Sequence, residues 1–149
     1  MKYLCSSEVS KVVATSMRFL MKTVKEFMTT SMKAVDSTTR LSEAFKLMHN
    51  NHIRHLPVVD GDKLVGIVSD RDLLSHASKE SGTLVFPRQA IETVMSKNLI
   101  TCSPSTSYED ALKMVLEHGI NSLPVVDKGV LVGLVTSKDL LNNLEITES

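Results

Sequence analysis

A chain of 149 residues lies in the size range of one compact domain and is long enough to bury a real core. Lys plus Arg and Asp plus Glu balance at 17 each, with an isoelectric point near 7.0, so no global field draws the protein to nucleic acid or anionic lipid and any binding must be local. Two cysteines, Cys5 and Cys102, are too few for a disulfide framework or a thiolate metal site, which suits a reducing, cytoplasmic setting, and no run approaches the roughly 18 apolar residues of a membrane span.

Residues 1–22 read as an N-terminal extension. Ser6, Ser7 and Glu8 break its apolar start too early for a signal peptide, and the internal Met17 and Met21 leave open a later natural start. From there the chain repeats itself at an offset of 67 residues: Met28 falls on Met95, Ala44 on Ala111, Pro57 on Pro124, Gly66 on Gly133 and Asp72 on Asp139. Within that register Leu56-Pro57-Val58-Val59-Asp60 matches Leu123-Pro124-Val125-Val126-Asp127 without a gap. Such self-similarity marks a duplicated supersecondary unit.

In each copy a short strand, around Lys33–Val35 and Leu99–Cys102, precedes a helix. Leu41, Ala44, Phe45 and Met48 stand at i, i+3, i+4 and i+7, and Tyr108, Ala111, Leu112 and Val115 repeat that spacing, which predicts one apolar stripe per helix. Thr39 and Thr106 stand where N-caps belong. A β-hairpin follows, turning at Asp60-Gly61-Asp62-Lys63 and at Asp127-Lys128-Gly129. Pro57 and Pro124 cannot donate to a ladder, so each predicts a strand start or an edge with its main chain open to something else. A second helix begins after Ser69 and Thr136. The unit is β-α-β-β-α, a mixed α/β (α+β) class, with repeats over residues 23–76 and 90–146 and a Ser/Gly-rich linker at 77–89.

The chemistry concentrates at Gly66-Ile67-Val68-Ser69-Asp70-Arg71-Asp72 and Gly133-Leu134-Val135-Thr136-Ser137-Lys138-Asp139. A strand glycine permits close backbone approach, the hydroxyl stands at the strand-to-helix junction, and the acid follows one turn later on the same side. Ser69 with Asp72 and Thr136 with Asp139 form variants of a capping box. The same corner suits a polar ligand, since a carboxylate beside a hydroxyl fits vicinal ribose hydroxyls and free N–H groups at the helix start add a weak positive pole. Arg71 and Lys138 are weaker candidates, because a cation early in a helix opposes its dipole. His49, His52 and His55 are spaced His-x-x-His-x-x-His, but no carboxylate or thiolate completes a metal shell, and no base stands beside Cys102 to make it a nucleophile. No nucleophile, base and orienting group fall together, so the chain reads as a non-enzyme.

These motifs, with Met28 and Met95 ahead of each copy, resemble the CBS domain family, and the tandem over roughly residues 24–144 resembles a Bateman module. The resemblance implies two pseudo-symmetric domains with a ligand cleft between them, dimerisation, and regulatory binding of an adenosine nucleotide (AMP, ADP or ATP), with no required cofactor or metal. It carries the ribose acid onto Asp72 and Asp139, its hydroxyl partner onto Ser69 and Thr136, and an adenine-contacting position onto Thr101, where the first copy has Ala34. It also places phosphate contacts at Arg54 and His55, where the second copy has Asn121 and Ser122. The expected function is therefore a sensor whose output acts in trans on an unidentified effector protein. A dimerisation scaffold with a vestigial cleft, or a sensor of S-adenosylmethionine or NAD, are the alternatives.

Overall fold

The computed structural model describes residues 22–144. They fall into two compact units, the first made of residues 31–100 and 126–131, the second of residues 22–30, 101–125 and 132–144. In chain order the elements are α1 (Val24–Phe27), α2 (Leu41–Asn50), β1 (His55–Asp60), β2 (Lys63–Ser69), α3 (Asp70–Leu74), β3 (Ser78–Glu80), β4 (Thr83–Val85), a 3-10 turn at Ile91–Thr93, α4 (Tyr108–His118), β5 (Ser122–Asp127), β6 (Val130–Thr136) and α5 (Ser137–Asn142).

The helical stripes predicted from spacing form the cores. In the first unit Leu41, Ala44 and Met48 of α2 are buried with Leu56, Val58, Val68, Leu73 and Ile91. In the second, Tyr108, Ala111 and Val115 of α4 are buried, as are Leu123, Val125, Val135 and Leu140. Each such aliphatic side chain contributes about 1.5–3 kcal/mol when fully withdrawn from water.

The starts of α2 and α4 lie one residue later than the sequence suggests, whereas α3 and α5 begin after Ser69 and Thr136 as expected. Arg40, not Thr39, occupies the N-cap of α2 and offers no side-chain bond. Thr39 instead gives its carbonyl to the Ile91 N–H at 2.7 Å. Ser107, not Thr106, caps α4 by accepting the Asp110 N–H at 3.1 Å, while the Thr106 hydroxyl accepts the Ser103 N–H at 3.0 Å. In both cases the threonine fixes the loop leading into the helix rather than the helix itself. The predicted first strands shrink to single parallel bridges, Val35 to Val58 and Cys102 to Val125. Part of the linker is ordered: β3 and β4 pair antiparallel across Ser81-Gly82, whose positive φ values of 50° and 80° suit a two-residue hairpin turn.

The hairpins explain how proline enters a ladder. Pro57 faces Ile67 in the β1–β2 register, and Ile67 directs both its N–H and its carbonyl away, to Ser96, at 3.1 and 2.9 Å. The Pro57 carbonyl in turn accepts the Val35 N–H at 3.1 Å. The N–H that proline lacks would have had no partner on β2.

Each hairpin is completed on its far edge by the leading segment of the other repeat. Ser96, from the start of the second repeat, bridges to β2 in the first unit, and Thr29, from the start of the first repeat, bridges to Leu134 of β6 in the second. Sequence repeat and compact unit therefore divide the chain differently. The strand glycines lie beneath these segments. A Cβ on Gly66 would collide with the Met95 sulfur, and one on Gly133 would lie 2.6 Å from the Met28 sulfur and 3.3 Å from the Thr29 carbonyl oxygen. The close approach inferred at these glycines is thus filled by methionine side chains.

Gly66→Ala should destabilise the protein by about 1–3 kcal/mol in urea unfolding, and adding Met95→Ala should recover part of that loss as a coupling energy. Gly133→Ala with Met28→Ala should recover less, because the Thr29 carbonyl is backbone and cannot retreat. Equal recovery in both pairs would contradict this packing.

Candidate functional site

Two corners, one in each unit, carry most of the residues singled out in the sequence. In the second unit the Thr136 hydroxyl accepts the Asp139 N–H at 3.2 Å, and Asp139 Oδ2 accepts the Thr136 N–H at 2.9 Å. In the first, the Ser69 hydroxyl accepts the Asp72 N–H at 3.1 Å and Asp72 Oδ2 accepts the Ser69 N–H at 2.9 Å. Both are complete reciprocal capping boxes. The acids differ in surroundings. Asp72 is exposed, whereas Asp139 is half-buried and receives a further hydroxyl hydrogen bond from Thr29, 3.3 Å to Oδ2 and 3.4 Å to Oδ1.

The amides expected to be free at the helix starts are largely committed. The Asp70 N–H donates to the Arg54 carbonyl at 2.9 Å and the Ser137 N–H to the Asn121 carbonyl at 3.0 Å. The Arg71 N–H donates to Asp70 Oδ1 at 2.8 Å. What remains for a ligand at each corner is the outer lone pairs of the carboxylate and hydroxyl, both acceptor sites suited to the O–H donors of a diol.

Thr101 is half-buried immediately before Cys102, whose N–H donates to the Pro124 carbonyl at 3.0 Å. Ala34, its counterpart, is exposed and precedes Val35, whose N–H binds Pro57 in the same way. Both prolines are buried, and their carbonyls accept the N–H of the residue that follows each of these positions. Arg71 and Lys138 are exposed on the first turns of α3 and α5. Cys102 is a buried free thiol whose pKa burial pushes up to about 11, which leaves little nucleophilic thiolate at neutral pH.

Arg54 and His55, adjacent in sequence, diverge. Leu56 and Val58 of β1 are buried in the core, while His55 is half-buried at the start of the strand and Arg54, just ahead of it, is exposed. Arg54 lines a groove beside α2 with His49 and His52, and His55 is not among its walls. Burial lowers the His55 pKa, the charge of Arg54 adds to that, and Asp70 and Asp72 partly offset it. Sequence reasoning missed Thr29, which no local motif ties to Asp139, and missed the groove, which forms only when α2, the loop before β1 and α3 come together.

The CBS domain model matches residues 24–79 and 91–146. The chain belongs to the CBS domain family. It is 34% identical over 129 residues to the CBS domain-containing protein YhcV of Bacillus subtilis (strain 168), covering 87% of this chain and 90% of that one. A solved structure of CBSX2 in complex with AMP superposes with a TM-score of 0.71 at 32% identity, covering 81% of this chain and 94% of that one. The CBS domain pair of MJ0100, in complex with 5′-methylthioadenosine and S-adenosyl-L-methionine, superposes with a TM-score of 0.70 at 28% identity, covering 82% and 94%. The enzymes among the relatives are matched over only 21% to 24% of their own length. The chain is thus a CBS pair of the regulatory kind, and among its described residues no helix is long and apolar enough to cross a membrane.

The folded state holds the His55 imidazole below its ordinary pKa of 6.5, so the unfolded chain takes up the proton first as pH falls. Its contribution to stability is present above that value and is lost on acidification toward the lower folded pKa. Urea stability measured from about pH 7.5 to 5.5 should fall more steeply for the wild type than for His55→Gln. Parallel profiles would show that His55 is not held neutral by the fold.

Proposed function

We propose that this CBS pair is a metabolite sensor that binds an adenosine nucleotide, AMP, ADP or ATP, and signals in trans to an effector protein from a cytoplasmic setting. The observation that carries the reading is the Thr136–Asp139 corner. Among the described residues its half-buried carboxylate has no cation for a hydrogen-bond partner, only the Thr136 amide and the Thr29 hydroxyl, so it retains acceptor capacity for a ribose diol. Thr101 belongs to the same unit and supplies the hydroxyl proposed for the adenine edge. The AMP bound by CBSX2 supports this ligand class, and the 5′-methylthioadenosine and S-adenosyl-L-methionine bound by MJ0100 keep the adenosine moiety as the common element.

The first corner, Ser69 and Asp72 with His55, is the weaker site of the two, because Ala34 offers no hydroxyl and Asp72 stands in open solvent, where each hydrogen bond competes with water. Arg71 and Lys138 supply only long-range positive charge to the phosphates. A chain of this kind is proposed to act as a homodimer. Leu116 on α4 and Leu141 on α5 are 71% and 67% exposed, and Leu144 is 44% exposed, which is the apolar helix surface that a second copy would cover.

Calorimetric titration with AMP should show Asp139→Ala losing about tenfold in affinity, about 1.4 kcal/mol, and Asp72→Ala losing much less. Equal losses would reject the ranking of the corners, and the absence of any thermal shift with AMP, ADP, ATP, S-adenosylmethionine or NAD would favour a scaffold without a ligand. Leu141→Glu should shift the chain from dimer to monomer in light scattering while leaving its far-UV spectrum intact; an unchanged mass would remove this face from the dimer.

A further inference from the structure

The hairpin of β3 and β4 in the first unit is a sheet of two strands. Residues 78–85 are all exposed, and among the described residues no strand or bridge pairs with the outer edge of either strand. A bare edge is a template for another chain, and proteins that leave it unused guard it with charge, proline or cover. The two edges differ in that respect. β3, Ser78-Lys79-Glu80, carries a charge of each sign, whereas β4, Thr83-Leu84-Val85, carries none and leaves Leu84 45% and Val85 37% exposed. Phe86, directly after β4, packs on Phe45 with ring centroids 5.1 Å apart. The apolar strand is thus anchored at its end while its edge stays open.

Register decides what each edge presents. Ser81 and Gly82 form the turn, and Glu80 faces Thr83, Lys79 faces Leu84 and Ser78 faces Val85. In such a hairpin the pair flanking the turn exchanges hydrogen bonds and the next pair does not. Leu84 therefore turns its N–H and carbonyl outward from β4, and Lys79 turns its own outward from β3. Two identical strands that pair antiparallel about a twofold axis set one residue against its own copy. Centred on Lys79 or on Glu80, the β3 edge would set like charge against like charge, which is destabilising. Centred on Leu84, the β4 edge sets leucine against leucine with Thr83 against Val85 on either side, pairs that suit a pleated surface.

We propose that the β4 edge is a self-association surface, at which two copies of this chain join as a four-stranded antiparallel sheet in the order β3-β4-β4-β3. Leu84 lies on the twofold axis, and each Leu84 N–H donates to the Leu84 carbonyl of the other copy. The leucines meet on the face that carries Lys79 at both outer strands, so the charged strands end up guarding the new edges. This surface uses none of the α4 and α5 leucines and does not depend on adenosine binding. Strands of three residues fall well short of the roughly 1,000 Å² expected of a stable interface. The contact is accordingly weak by itself and governs association at high protein concentration rather than the resting mass.

The test combines light scattering with disulfide trapping on the full chain. Over about two decades of concentration above the micromolar range, the average mass of the wild type should rise by mass action. Leu84→Lys, which puts like charges on the axis and leaves the hairpin's own ladder intact, should hold the mass level. Leu141→Glu should lower the mass at low concentration and leave the rise in place, which separates this edge from the helix face. For register, Thr83→Cys and Val85→Cys chains are oxidised singly and mixed, in a Cys5→Ser background where the remaining Cys102 is buried. Residues opposed in a non-hydrogen-bonded pair stand about 4.5 Å apart at Cα, within disulfide reach, whereas each residue and its own copy are diagonal at roughly 7–8 Å. The mixture should therefore cross-link about tenfold faster than either variant alone. Equal cross-linking rates, a level wild-type mass, or an undiminished rise in Leu84→Lys would overturn the proposal and leave the edge to an extended segment of another protein.

Discussion

Two methionines lying over two glycines set the terms for the rest of this structure. A strand glycine normally weakens a sheet, since it adds backbone freedom to the unfolded chain and contributes no side chain to pack. Here the space above Gly66 is filled by Met95 and that above Gly133 by Met28. Each methionine belongs to a leading segment that also closes a hairpin edge through a pair of backbone hydrogen bonds, Ile67 with Ser96 and Leu134 with Thr29. The flexible thioether suits this place because it can follow the surface of a bare backbone. Removing either partner would leave a void or a clash at the point where the sheet edge is sealed.

The corners depend on that arrangement. Ser69 and Thr136 end the strands whose edges the leading segments close, and the hydroxyls cap the helices that follow. The same carboxylates that stabilise those helix starts are the proposed ribose acceptors. The caps use Oδ2 of each aspartate, so Oδ1 can accept from a ligand without dismantling the cap. At the second corner the Thr29 hydroxyl touches Asp139 from the leading segment, placing the segment that seals the edge in direct register with the group proposed to sense the ligand.

Much of this could be read in the chain beforehand, and the parts that could not share a cause. Periodicity located α2 and α4 and their buried faces, because a helix must bury one stripe and Leu41, Ala44 and Met48 or Tyr108, Ala111 and Val115 leave no other stripe to bury. The capping boxes were legible because their partners are three residues apart. Thr39 and Thr106 were misplaced as caps, since several adjacent hydroxyl and polar residues compete at each helix start and only tertiary hydrogen bonds decide among them. The role of the glycines was half legible. Close approach followed from the residue type, but what approaches was not, because Met95 and Met28 lie far away in sequence. The hairpin Ser78–Val85 hid inside a polar stretch whose exposed strands carry no alternation for a period to reveal.

The exchange of leading segments changes what the duplication means. A single repeat on its own would present a hairpin with one edge open and a glycine without cover, and two such molecules could complete each other only by trading segments, as in a domain swap. Joining the copies in one chain replaces that bimolecular step by an intramolecular one, at the effective concentration set by a short connection. Completion of each unit then no longer depends on how much protein the cell holds. A sensor built this way can report the level of its ligand without also reporting its own.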